Sequence, residues 1–330
     1  MRVLIAGGTG FLGTRFTELL LESGHQHDIT AVRVVARDTA TASHLGAAGA
    51  ELMAGDASDP AFARRAVKGM NAVVHCAGRS GLGGPLKLYQ SNIDITAALL
   101  DAARAADVYR FIHIGSPSAY FDDTNALNRD ENYRAAWAPD GYALSKTIAD
   151  RMVLAANTDD FGTISLRPRF VTGRGDTYLL TRFISLHRAG VLWRIGPGDN
   201  LVDFTAAANQ ADAMILSLKA SAHACGEAYN ITNGEPVNLW KFLDQVMVQV
   251  GLGPIRGAVP YWLARLTGIA AEGLFAFASR PPGLNRHSAA VLSHSMTMSI
   301  ERARTRLGYQ PRQSNGQMLT EFADWYGKRQ

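Results

Sequence analysis

Ala6-Gly7-Gly8-Thr9-Gly10-Phe11-Leu12-Gly13 stands between a short apolar run, residues 3–6, and a stretch of helical apolar spacing, residues 11–23. Gly7, Gly10 and Gly13 therefore follow a strand and open a helix. That is the context in which a G-x-x-G-x-x-G spacing carries meaning. Glycine permits the tight turn and the close backbone approach. The helix N-terminus then offers free N–H groups and a partial positive charge to a pyrophosphate. The loop from Gly7 through Thr9, Gly10, Phe11 and Leu12 to Gly13 is the predicted dinucleotide cradle.

Outward from that loop, strands and helices alternate. Further strands are predicted at 32–36, 50–53, 72–76, 111–114 and 163–166, and helices at 85–106 and 142–156. Short apolar strands alternating with helices predict a parallel sheet covered on both faces. The fold class is α/β: a Rossmann-type doubly wound sheet with a smaller, mostly helical C-terminal substrate domain. The dinucleotide domain is 1–168, with 203–233 returning to it. Residues 169–202 and 234–312 form the substrate domain, and 313–330 a C-terminal helix. Helices at 206–220, 237–250 and 318–326, a strand at 228–231 and a Gly/Pro-rich link at 251–260 complete the pattern.

Composition narrows the function. Apolar residues are 47% of the chain and charged residues 19%, which excludes a mainly disordered chain. The +4 charge is spread thinly, without the basic stripe of a nucleic-acid binder. Cys76 and Cys225 make neither a disulfide framework nor a zinc set. No uncharged apolar run reaches a membrane span of ~18 residues. The first residues read as strand and glycine turn, not as a signal peptide, so a cytoplasmic setting is expected. The histidines form no i, i+4 metal pair and no metal is assigned; His113, in an apolar strand, reads as a core histidine.

The second strand ends Val34-Val35-Ala36-Arg37-Asp38. An acid at the end of this strand takes the ribose hydroxyls of NAD, whereas a guanidinium suits a 2′-phosphate. Arg37 therefore favours NADP(H), with Asp38 keeping NAD(H) open. Asp56 and Ala57, after the third strand, are placed to meet the adenine. Tyr142 and Lys146 share one helix face at i, i+4. A lysine ammonium beside a phenol lowers its pKa and suits it to proton transfer. Ser116 ends the fifth strand, at the carboxyl edge where open α/β sheets bind ligands. Its hydroxyl is placed to orient a substrate carbonyl; Ser118 is the rival serine.

These residues, with His75-Cys76-Ala77-Gly78, Asn92 and Arg167-Pro168, resemble the extended short-chain dehydrogenase/reductase superfamily over nearly the whole chain. The resemblance implies Tyr142 as acid/base, Lys146 on the nicotinamide ribose and Ser116 as oxyanion partner. Asn92 would support the helix and the proton path. Ala77, Gly78, Pro168 and Val171 would line the cofactor, and Phe170 and Val171 backbone would meet the carboxamide. Ser118, Tyr120, Phe170 and Arg174 would face substrate. A homodimer through the helices at 85–106 and 142–156 is the family's analogy.

The branch that fits best resembles 3β-hydroxysteroid dehydrogenases, including sterol-carboxylate dehydrogenases and long-chain β-keto acid reductases. The segments that carry this are Gly196 to Asp203, Asn209, and Ala228 to Asn238. The function expected is interconversion of ketone and secondary alcohol on a hydrophobic substrate. A sugar-nucleotide epimerase is the alternative, but Val202 stands where such enzymes place an arginine. A non-catalytic NADP(H)-binding protein is the third reading. The apolar stretch 260–279, with Trp262, Leu263, Leu266, Ile269, Ala270, Leu274 and Phe277, reads as a core helix, a wall of the substrate pocket, or a peripheral membrane contact.

Overall fold

The computed structural model describes all residues except 134, 136, 275–281 and 330, and the side chain of 119. Phe277 thus lies outside the described residues. Seven parallel strands form the main sheet. They are β1 (Arg2–Ala6), β2 (Ala31–Ala36), β3 (Glu51–Ala54), β4 (Ala72–His75), β5 (Arg110–Ile114), β6 (Gly162–Pro168) and β7 (Glu227–Ile231). Their order is β7-β6-β5-β4-β1-β2-β3. The order reverses between β1 and β4, and the crevice at that point is the doubly wound fold's ligand site.

Alternation along β1 splits the core. Val3 and Ile5 face one layer, with Phe16 and Leu20 of α1 (Phe11–Ser23) and Met214 of the helix Ala207–Leu218. Leu4 and Ala6 face the other, with Phe62 of Pro60–Val67, Leu99 of α2 (Gln90–Arg104) and Val153 of α3 (Gly141–Ala155). The helix expected at 85–106 starts as a 3-10 turn, Leu86–Tyr89, and becomes α-helical only at Gln90. A second core gathers Phe204, Trp240, Leu243 and Phe322. The smaller region also carries a sheet of four short strands: Val237–Asn238, Leu201–Val202, Met296–Met298 and Ala126–Arg129, in that order. Val202 is fully buried there.

His75 and His113 are neighbours across β4 and β5, with ring centroids 5.1 Å apart. His75 Nε2 is 2.9 Å from Thr96 Oγ1. Burial, helped by the Lys146 charge, lowers His75 to about 3 and holds His113 well below its usual value. Both stay neutral in the fold while the unfolded chain takes protons near 6.5. Their contribution is present above that pH and is lost as pH falls toward their folded values. The slope of unfolding free energy between pH 6 and 4 should therefore be shallower by about 1.4 kcal/mol per pH unit in His113→Leu than in the wild type. Urea titrations at stepped pH measure it.

Candidate active site

The glycine loop fits a pyrophosphate on geometric grounds. A Cβ on Gly7 would lie 2.6 Å from the Ala77 backbone, and one on Gly13 would lie 2.3 Å from the Gly7 carbonyl oxygen. Gly7 also has φ +82°. α1 begins at Phe11 with no side-chain cap on its first turn. Its leading amides thus stand at the β1–β4 crevice with no capping side chain, which is how a helix terminus receives an anion. Arg37 and Asp56 are exposed at the ends of β2 and β3. Asp56 accepts from Ser58 N–H and Oγ, and those bonds, with Arg37 nearby, hold its carboxyl below the usual range.

Across the crevice, Asp140 caps α3. Its Oδ1 accepts from Ala143 N at 2.7 Å and its Oδ2 from Gly83 N at 2.5 Å. The cap fixes the first turn, which carries Tyr142. Ser116 follows β5 and caps the short turn Pro117–Tyr120. Its Oγ is 2.8 Å from Ser118 Oγ and shares a hydrogen bond with the Tyr142 side chain. Tyr142, Ser116 and Ser118 are thus brought together at the carboxyl edge of the sheet. Tyr89 lies edge-on to Tyr142, centroids 5.6 Å apart, with the Arg79 guanidinium over its outer face.

Two expectations are corrected. Lys146 does not lower Tyr142: its Nζ donates to the Ile114 carbonyl at 2.5 Å. Burial instead raises Tyr142, the Ser116 bond opposes that, and Asp140 and Tyr178 add to it. Burial lowers Lys146 to about 8, against the pull of Asp150. Tyr120 does not face a substrate: it is fully buried and its hydroxyl meets Arg167. Asn92 supports the helix that bears Tyr142, as the resemblance implies. Its amide is occupied by the Arg79 N–H and carbonyl and by Ser145 Oγ, so it ties the loop after β4 to α3.

Other predicted residues are dispersed. Ala77 and Gly78 follow β4 beside the glycine loop, and Ala57 is buried behind β3. Pro168 ends β6, and Val171 pairs with Thr205. Phe170 has φ +42°, which turns the chain between these strands; its ring touches Phe204, and Arg169 lies over it. Arg174 is exposed.

The sequence reading missed a junction beside Tyr142. It joins the Asp140 cap to two later helices, α4 (Tyr261–Leu274) and α5 (Arg286–Ser293). Asn285 caps α5 and donates to the Leu82 carbonyl at 3.0 Å. His287, buried in the first turn of α5, sets Nδ1 3.3 Å from Asp123 Oδ1 and Nε2 3.9 Å from Asp140 Oδ2. Phe121 stands edge-on to its ring. Asp140-Gly141 directly before the tyrosine was a readable cap signal. The histidine is about 145 residues away in sequence and gave none.

These parts define an extended short-chain dehydrogenase/reductase, the class of oxidoreductases that work at CH–OH and keto groups. The chain belongs to the 3-beta hydroxysteroid dehydrogenase/isomerase family, whose profile matches residues 4–258. It is 34% identical over 327 residues to the 2-alkyl-3-oxoalkanoate reductase of Stenotrophomonas maltophilia, covering 95% of this chain and 96% of that one. It is 31% identical over 270 residues to the decarboxylating sterol-4-alpha-carboxylate 3-dehydrogenase of Mus musculus, covering 79% and 72%. The solved dTDP-glucose 4,6-dehydratase of Streptomyces venezuelae, with NAD and TYD bound, has a TM-score of 0.79 at 21% identity over 99% and 97% of the two chains. At that identity the likeness is one of fold.

Two outcomes test this site. His287→Leu leaves Asp123 and Asp140 without their shared imidazole and should lower stability by about 1–3 kcal/mol in urea unfolding. In the free enzyme, kcat/KM for ketone reduction should hold level below about pH 8 and fall above it, as Lys146 loses its proton.

Proposed function

We propose that this chain is an NADPH-dependent reductase of a hydrophobic β-keto acid or sterol-like ketone. The observation that carries the reading is the Tyr142–Ser116 hydrogen bond at the sheet's carboxyl edge, on the helix that bears Lys146. When bound, a nicotinamide supplies the hydride to the carbonyl carbon. Ser116 holds the carbonyl oxygen. Tyr142 gives its phenolic proton to that oxygen as the alcohol forms. Burial keeps Tyr142 protonated, which is the state a reduction starts from. Lys146, one helical turn on, is placed to turn from the Ile114 carbonyl to the cofactor ribose and favour the phenolate left behind.

Arg37 supports the choice of NADPH: it is exposed at the end of β2 and close enough to Asp56 to act on its charge. Names of the relatives support the substrate class, since both the 3-oxoalkanoate reductase and the sterol-4-carboxylate dehydrogenase act beside a carboxylate. The epimerase reading has less support. Val202, where an arginine would hold a diphosphate, is a core residue of the small sheet.

Absorbance at the nicotinamide band, with NADPH and a panel of 2-alkyl-3-oxoalkanoates and 3-oxosteroids, should fall for at least one member. Tyr142→Phe should lose at least a hundredfold in kcat while NADPH affinity stays within about twofold. Oxidation unchanged in that variant overturns the assignment. Arg37→Ala should raise the KM for NADPH about tenfold and leave that for NADH unchanged.

A further inference from the structure

Gly83 and Gly84, in the loop after β4, are consecutive residues with φ +83° and +85°. Glycine adopts this left-handed backbone without strain, and other residues do not. The backbone groups of residues 82–84 are engaged by the elements around them. The Leu82 carbonyl accepts from Asn285 Nδ2 at 3.0 Å. Gly83 N donates to Asp140 Oδ2 at 2.5 Å, and its carbonyl accepts from the Tyr89 hydroxyl at 2.9 Å. The Gly84 carbonyl accepts from Gly141 N at 2.9 Å. Space is as tight as the bonding. A Cβ on Gly83 would lie 2.4 Å from Asn285 Nδ2, and one on Gly141 would lie 2.4 Å from the Leu86 nitrogen. The glycine pair is therefore pressed between the residue that caps α5 and the first residue of α3.

Asn285 is itself firmly held. It is 1% exposed. Its Oδ1 accepts from Ser288 N and its own N–H donates to Ser288 Oγ, both at 2.8 Å, which closes the cap of α5. Behind it lies α4. Ala264 and Gly268 are the buried residues of that helix, and a Cβ on Gly268 would lie 2.5 Å from the Asn285 carbonyl carbon. Trp262 and Leu266 face outward, so α4 is not the core helix its spacing suggested. Its small side braces the start of α5 and keeps Asn285 against Leu82. Two residues on, His287 Nε2 lies 3.9 Å from Asp140 Oδ2. The start of α5 thus meets both the loop and the cap that the loop supports.

The first turn of α3 carries Tyr142. Its leading amides bond to this assembly, Gly141 N to the Gly84 carbonyl and Ala143 N to Asp140 Oδ1. A helix end without such partners frays. Misplacing a reacting group by about 1 Å can cost about a hundredfold in rate. We propose that Asn285 is a positioning residue for the reduction: it holds Leu82, the glycine pair holds the start of α3, and Tyr142 is thereby kept in register with Ser116. Its part in turnover rests on the reductase reading; the mechanical link does not. The small region and the proton donor are joined through one side-chain amide.

Asn285→Asp and Asn285→Ser keep a cap oxygen for Ser288 N and remove the donor to Leu82. Ser288→Ala opens the capping box and leaves the Leu82 bond, so it is the control. Hydrogen–deuterium exchange of the full chain is read on the peptide covering 138–146. Exchange there should quicken at least fivefold in both Asn285 variants and stay within about twofold of wild type in Ser288→Ala. Unfolding midpoints show that all three are folded. With a 2-alkyl-3-oxoalkanoate, kcat should fall at least tenfold in the Asn285 variants while KM for NADPH stays within about twofold. In a Tyr142→Phe background the same substitutions should change kcat less than twofold, because the group they act through is gone. Unchanged exchange at 138–146, equal quickening in Ser288→Ala, or an equal loss of kcat in both backgrounds overturns the proposal. A wild type that reduces no ketone overturns the reductase reading alone, and exchange then decides the link by itself.

Discussion

The site hangs on one buried ion pair. Asp150 lies one turn beyond Lys146 on α3, and Arg167 lies near the end of β6. Arg167 Nε donates to Asp150 Oδ1 at 3.2 Å, its Nη2 meets the other carboxylate oxygen, and Ser165 donates to the first. Both partners are nearly excluded from water. Separating such a pair costs about 3–5 kcal/mol, because it strands a charge in the interior. Together they bolt the catalytic helix to the sheet. The bolt sets how far Lys146 can reach, and the Asp140 cap sets the height of Tyr142 above Ser116. Tyr120 closes the same network through Arg167. A buried phenol there holds the loop after β5 against β6, the strand beside it.

The electrostatics favour the protonated phenol at Tyr142. Around Tyr142 the apolar surroundings and the Asp140 carboxylate both disfavour phenolate. The positive groups are occupied: Lys146 with a carbonyl, Arg167 with Asp150. A proton donor needs such a resting state. The nearest cation on the same helix, Lys146, is held one turn away on the Ile114 carbonyl.

How much of this was legible follows from distance along the chain. The glycine loop and Ser116 each directly follow a strand, and Tyr142 and Lys146 share one face of a helix, so local spacing was enough to pick them out as candidates. The seven main strands fell where alternating apolar runs put them. Tyr120 was misread because adjacency to Ser116 says nothing about which way a turn directs its side chain. The His287 junction depends on three segments that meet only in the tertiary fold. The helix α4 shows a different limit. Apolar spacing announces two unlike faces, but not which is inward. Here Ala264 and Gly268 permit a closer approach to α5 than Trp262 or Leu266 could, and backbone proximity decided the orientation.

The chain is also interleaved. Ala126–Arg129, from before α3, pairs with Met296–Met298, and β7 crosses back to join β6. Contacts that complete one region therefore wait for residues made much later. During synthesis, the first five strands can associate while their sheet still lacks its outer edge, and the small sheet cannot close until residue 298 has emerged. Long-range pairing of this kind slows folding and leaves strand edges open meanwhile. Both the main sheet and the small sheet are therefore completed by late residues, β7 in one and Met296–Met298 in the other.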